Sequence, residues 1–221
     1  MRGTGAYTAR RTSALSGVPL STIHWWDRHG IFGPSVSPTK VKLWSYSDLM
    51  GLRVIYWLRR QKTLEAGAEI PGVGMPAVRR ALEQLRALDL PVWSEGKSSL
   101  FVVPDGTLYL DLPTGLQDLQ GQLARGELLN LVAPFTSMEG LKGPDLVRPK
   151  PELRIVPGKL SGSPHVAGTR VETTAIAALA NDGLDTKRII QLYPYLNEAQ
   201  VADAIALEQE LDQNLKLKQA A

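Results

Sequence analysis

Residues 7–35, YTARRTSALSGVPLSTIHWWDRHGIFGPS, decide the fold; KVKLWSYSDL (40–49) and GLRVIYWLRRQK (51–62) follow closely. Thr8 or Thr12 supports a short first helix with Ala9, Ala14 and Leu15 turned inward. Gly17 supplies the positive-φ stop that helix C-termini favour. Pro19 sits near the start of a second helix, where its missing N–H costs nothing. That helix runs to about His29, Gly30 closes it, and Ile23, Trp26 and Ile31 form its inward face. Ser21, Thr22, His24, Trp25 and Arg28 are left facing outward.

Lys40-Val41-Lys42-Leu43-Trp44 alternates basic and apolar residues at the strand period, as a two-stranded wing with Lys40 and Lys42 on its solvent side would. A third helix follows from about Ser47 to Lys62, with Leu49, Leu52, Ile55, Tyr56 and Leu58 on its core side. Ser45 or Ser47 with Asp48 caps it. Through residue 62 there are ten Lys and Arg against two acids, +8, while the whole chain carries +3, so the remainder carries −5. Such asymmetry in a short helical segment is the footprint of a polyanion-binding surface. Hydroxyls and an indole N–H can donate to phosphate, Arg10, Arg11, Arg28, Lys40 and Lys42 add charge, and His24 can reach a base edge.

In order, spacing and closing Gly, VPLSTIHWWDRHGIF and KVKLWSYSDL resemble the MerR-type winged helix-turn-helix regulators over about residues 6–62. The resemblance implies a module that binds double-stranded operator DNA. The chain departs from that family in having Ser21 and His24 where arginines are common, and Trp25 and Trp26 where tyrosines are. The family's sensor cysteines are missing, as is a sustained heptad for its dimerising helix.

Beyond the first segment, 63–137 reads as a small α+β unit. MPAVRRALEQLRAL (75–88) is helical through Val78, Leu82, Leu85 and Leu88, and SSLFVVPDGTLYLDL (98–112) is a hairpin about Pro104-Asp105-Gly106. Leu116–Ala124 and Glu127–Leu131 add short helical or extended pieces. Residues 138–153, with three prolines and two glycines, read as a linker or extended arm.

The last segment, 154–221, opens with a strand-turn-strand about Gly158, Gly162 and Gly168, followed by three helices. Thr173 or Thr174, Asp185, and the capping box Asn197 to Gln200 start those helices. GSPHVAGTRV lacks the Lys-Ser/Thr of a P-loop and the spacing of a dinucleotide fingerprint. A turn at Gly168-Thr169-Arg170, with Arg170 bonding across a domain or subunit contact, is the expected role. Gly162-Ser163-Pro164-His165-Val166-Ala167-Gly168-Thr169-Arg170, with Tyr193-Pro194-Tyr195-Leu196 after it, resembles the VapB-type antitoxin-associated domain over about residues 152–210. That resemblance implies a homeodomain-like three-helix fold that pairs as a homodimer and a PIN-like ribonuclease toxin as partner; Arg170, Tyr193 and Tyr195 are the expected dimer or domain contacts.

Taken together, the expected fold is mainly α with small β-hairpins: residues 1–62 the winged module, 63–137 the α+β segment, 138–153 the linker and 154–221 the dimerisation domain. The expected function is a cytoplasmic antitoxin that represses its own operon. A stand-alone MerR-like regulator responding to a ligand is the alternative. No enzyme, cofactor or metal is expected. No acid pair or Ser/His/Asp set stands out, cysteines are absent, and the three histidines lack ligand spacing. No run approaches the roughly 18 apolar residues of a membrane span, and MRGTGAYTARR lacks a secretory h-region. The linker 138–153 and the tail after Glu208 are the segments expected to be free to wrap the toxin.

Overall fold

The computed structural model describes residues 5–59, 62–63, 69–70, 72, 74–87, 100–102, 107–112, 115–118, 129–130, 132–137 and 141–216. β1 (Tyr7–Thr8) leads into α1 (Ala9–Ser16), which starts where Thr8 Oγ1 accepts the Arg11 backbone N–H at 3.3 Å. Gly17, at φ +73°, ends α1, and its N–H donates to Ser13 O. Pro19 precedes α2 (Leu20–Arg28), and Gly30 turns the chain at φ +65°. β2 (Leu43–Trp44) pairs antiparallel with β1. α3 (Tyr46–Arg59) then begins on a reciprocal cap: Asp48 N–H donates to Ser45 Oγ at 3.0 Å and Ser45 N–H to Asp48 Oδ2 at 2.8 Å. Leu49, Leu52, Ile55, Tyr56 and Leu58 are all buried, as their spacing predicts.

The middle of the chain is one helix among short antiparallel strands. β3 (Lys62–Thr63), β4 (Glu69–Ile70), β9 (Phe135–Ser137) and β10 (Lys142–Gly143) form a sheet in the order β10-β9-β3-β4. α4 (Met75–Ala87) packs on α3. β5 (Leu100–Val102), β6 (Leu108–Leu112), β7 (Gly115–Asp118) and β8 (Leu129–Asn130) form a second sheet, order β7-β6-β5-β8. β5 and β6 pair as the predicted hairpin, Phe101 opposite Tyr109. Its Pro104-Asp105-Gly106 turn lies outside the described residues, as do Leu88 and residues 119–128.

β11 (Leu153–Arg154) pairs with β12 (His165–Val166) ahead of α5 (Thr173–Asn181), α6 (Thr186–Leu192) and α7 (Glu198–Lys216). Asp185 caps α6 by accepting the Arg188 N–H at 2.8 Å. Asn197 and Gln200 exchange bonds of 3.0 and 2.9 Å at the start of α7. Thr173 does not cap α5. It is the first helical residue, buried, and its hydroxyl donates to Pro164 O and to Glu208.

One apolar cluster runs from Tyr7 through α1–α3 to α5–α7. The stretch read as a linker enters it through the buried Leu146 and Leu153, and Tyr46 Oη donates to Leu146 O at 2.9 Å. Leu146 N–H bonds Val132 O and Ile155 N–H bonds Val147 O. Prolines that remove donors thus shape an extended segment, and its N–H groups at Leu146, Val147, Arg148, Glu152 and Leu153 are paired. Residues 138–140 lie outside the description. The tail after Glu208 is packed as far as Lys216, and residues 217–221 lie outside the described residues. α7 continues to Lys216, buries Leu211, and through Asn214 bonds Lys142 N–H, Lys142 O and Ala14 O.

Arg53 lies at the centre. It is fully buried, Nη1 donating to Val132 O (3.2 Å) and Ala133 O (3.4 Å) and Nη2 to Leu15 O (3.2 Å) and Pro144 O. Its guanidinium sits 5.0 Å from the Phe135 ring centroid. Burial pulls its pKa down to about 9, which leaves it charged at neutral pH.

A second long-range tie joins the chain's start to the turn before β12. Tyr7 Oη donates to Gly162 O at 2.8 Å, and Ala6 N–H donates to Ser161 O at 2.9 Å. Leu160, Ser161 and Gly162 are consecutively left-handed, at φ 50°, 53° and 81°. A Cβ on Gly162 would stand 2.0 Å from Tyr7 Oη. Gly162→Ala is therefore expected to cost about 2 kcal/mol, from the left-handed backbone and overpacking together. Chemical denaturation reads this directly, and an unchanged midpoint would mean that Tyr7 does not seat on this turn.

Candidate nucleic-acid interface

The candidate surface is built on α1, the Gly17 turn and α2. The turn is fixed from inside: Ser13 Oγ donates to Val18 O at 2.6 Å, and Val18 N–H donates to Ser16 Oγ at 3.2 Å. Ile23 anchors α2 in the core and Trp26 is half-buried against it. Ser21, His24, Trp25 and Arg28 are exposed, as predicted, while Thr22, expected outward with them, is half-buried.

Trp25 stacks on His29, ring centroids 4.3 Å apart and planes 27° from parallel, and His29 Nδ1 lies 2.8 Å from Trp25 O. Sequence reading missed His29, although spacing of four residues puts the two side chains on one helical face. Arg28 Nε donates to His24 O at 3.3 Å, which holds the guanidinium along the helix.

Ile31 does not face inward. It is 41% exposed, because the left-handed Gly30 turns the chain and Phe32 takes the inner position. Phe32 lies against α3 at Gly51, where an added Cβ would fall 2.5 Å from its ring. A glycine inside an apolar helix was the available signal for that close approach.

The predicted wing is a minimal turn. Leu43 O accepts Val36 N–H and Ser37 N–H, and Leu43 N–H returns to Ser37 O at 2.9 Å. Lys40 is exposed. Val41, which the alternation put on the apolar side, is 65% exposed. Lys42 turns back and pairs with Asp27 of α2, so it does not stand free on the solvent side. The pair instead joins the turn to α2.

Arg11 is also committed elsewhere. Its Nη1 and Nη2 clasp Glu208 of α7 at 2.6 and 2.7 Å, and Glu208 in turn accepts the Thr173 hydroxyl. The geometry is a bidentate fork in a part-buried setting. Glu208→Ala is expected to lower stability by about 2 kcal/mol through loss of these charge-assisted bonds. A double-mutant cycle with Arg11→Ala should recover most of it as coupling. Additivity of the two changes would sink this assignment.

Arg10, Arg28 and Lys40 remain as exposed cations of the predicted set. A cavity of about 310 Å³ separates Arg10, Ser21 and His24 from Asn214 and Leu215 near the end of α7.

In the C-terminal unit, Gly168 is left-handed at φ +74°, and Thr169 Oγ1 donates to Val166 O while accepting Val171 N–H. Arg170 extends from that turn into solvent. Tyr193 and Tyr195 meet edge to face, centroids 6.2 Å apart, and Tyr195 and Leu192 are exposed by 64% and 53%. Among the described residues no three His, Asp or Glu side chains gather as metal ligands, and no helix is long and apolar enough to cross a membrane.

A family model described as a protein of unknown function (DUF433) matches residues 154–207, from β11 into α7. No curated protein and no solved structure matches. The matched interval contains the Gly162–Arg170 turn and the capped helices after it, so family similarity attaches to the C-terminal unit and leaves α1 and α2 outside it.

Proposed function

We propose that this protein is a DNA-binding antitoxin of a type II toxin–antitoxin pair. Residues 6–62 would work as a MerR-like winged helix-turn-helix with α2 in the major groove of its operator. The C-terminal unit would pair two copies as a homodimer, and the assembly would hold a PIN-type ribonuclease inactive in the cytoplasm. The observation that carries the DNA reading is the division of α2. Ile23 locks it to the core, while hydroxyl, imidazole, indole and guanidinium groups stand on its outer side beside Arg10 and Lys40. The toxin reading rests on the Gly162–Arg170 turn and its resemblance alone.

Gel-shift titration on the DNA upstream of the native gene tests the first part, and absence of any shift at micromolar protein would refute it. Capture from the native host, with a small nuclease held in stoichiometric amount, tests the second. Exposed Leu192 and Tyr195 are the apolar surface offered for pairing. Changing both to Asp should convert a dimer to a monomer in light scattering while leaving the helical signal intact.

A second reading, a stand-alone MerR-like regulator answering to a ligand, is favoured by one observation. Residues 141–153 and the end of α7 are packed, so neither offers a loose arm for wrapping a toxin. An empty lane in the capture experiment would select it.

A further inference from the structure

We infer that the cavity bounded by β9, β10, residues 144–151 and α7 binds a small organic anion, a carboxylate or phosphate carried on a flat apolar body. The inference stands apart from the DNA reading and needs no operator. The cavity encloses about 520 Å³, within the size range of small-molecule sites. Its apolar wall is four prolines, 134, 144, 149 and 151, with the edge of the core ring of Phe135, which is only 2% exposed. These rings lose little freedom when a ligand settles on them.

Lys142, Arg148 and Lys150 line it against Asp145 and Glu210; three cations less two acids leave +1. The acids are engaged. Asp145 Oδ1 accepts Val147 N–H at 2.7 Å and Arg148 N–H at 2.6 Å, and Glu210 holds Lys150 at 2.8 Å. Among the described residues, Lys142 and Arg148 have no acid partner. Arg148 is already oriented: Nε and Nη2 both donate to Pro151 O at 3.2 Å, which fixes the guanidinium on the wall with Nη1 left to give. A fixed guanidinium beside a lysine favours an oxyanion, and the proline wall favours a flat apolar body over a bare ion.

The test titrates benzoate, phenyl phosphate, inorganic phosphate and benzamide into the full chain, by calorimetry and by amide chemical shifts. Saturable one-site binding of benzoate or phenyl phosphate is expected, the tighter of the two naming the headgroup. Benzamide and inorganic phosphate should each bind at least tenfold more weakly, and Lys142→Gln with Arg148→Gln should weaken the preferred anion at least tenfold. Each single variant is measured as well, since Arg148 also holds Pro151 O. No saturable binding of either aromatic anion overturns the proposal. So does equal binding of benzamide or of inorganic phosphate, or indifference to both single variants and the double one.

Discussion

Replacing Arg53 with methionine is expected to lower stability by about 4 kcal/mol, although the side chain stays unbranched through its stem and gains hydrophobicity. Methionine supplies no donor, so the carbonyls of Leu15, Ala133 and Pro144 lose the guanidinium together, and Val132 O is left with Leu146 N–H alone. Each buried carbonyl left unpaired costs about 1–3 kcal/mol, and solvation that the protein gives up elsewhere does not return. Against this, removing a buried charge relieves its desolvation, which is why the sum is nearer that of a broken buried ion pair, about 3–5 kcal/mol. For a chain of this size the melting temperature should fall by roughly 10 °C. Lysine would not rescue it. An ammonium cannot span four carbonyls on three segments in the plane of one fork, nor stack on Phe135 in the same way. A melt unchanged within about 2 °C for Arg53→Met would mean that the four carbonyls find water instead.

The same residue shows where sequence reading ran out. Arg53 counts as one of the ten basic residues of the first 62, yet none of its charge reaches the surface. Arg11 and Lys42 are likewise spent, on Glu208 and Asp27. A charge sum locates side chains along the chain and says nothing of where their ends go. What was legible was local. The Ser45–Asp48 cap, the Asp185 cap, the Asn197–Gln200 box and the Gly17 stop all close rings within three or four residues, so sequence spacing encodes them. The core face of α3 followed from period alone. What was not legible spans 79 to 200 residues: Arg53 to Val132, Arg11 to Glu208, Asn214 to Ala14. Those contacts turn a Pro-rich stretch that reads as a linker into part of the core. For the candidate interface, the residue types on α2 were readable, while the free cations were not until their competitors in α2 and α7 were placed.

That placement sets the largest expected effect on binding. Changing Arg10, Arg28 and Lys40 together to glutamine should flatten the dependence of log K on log salt by roughly 2–3 units, because each phosphate neutralised releases about 0.9 counterion. At 0.1 M salt the same three changes should weaken operator binding roughly 100- to 500-fold. All three side chains are exposed, so the melt should stay within about 2 °C of the parent, which separates lost binding from lost folding. Lys42→Gln provides the contrast. Its ammonium answers Asp27, so the variant should change the salt slope by less than about half a unit and lower stability by at most about 1 kcal/mol, as for a partly exposed pair. Gel-shift titrations at four or five salt concentrations measure both slopes. If the triple variant keeps the parental slope, the phosphate contacts lie off α1, α2 and the 36–43 turn. If Lys42→Gln alone removes a full unit, the Asp27 pair opens on DNA and the lysine belongs to the interface after all. The difference between the two slopes is thus a direct reading of which cations the fold leaves available to phosphate.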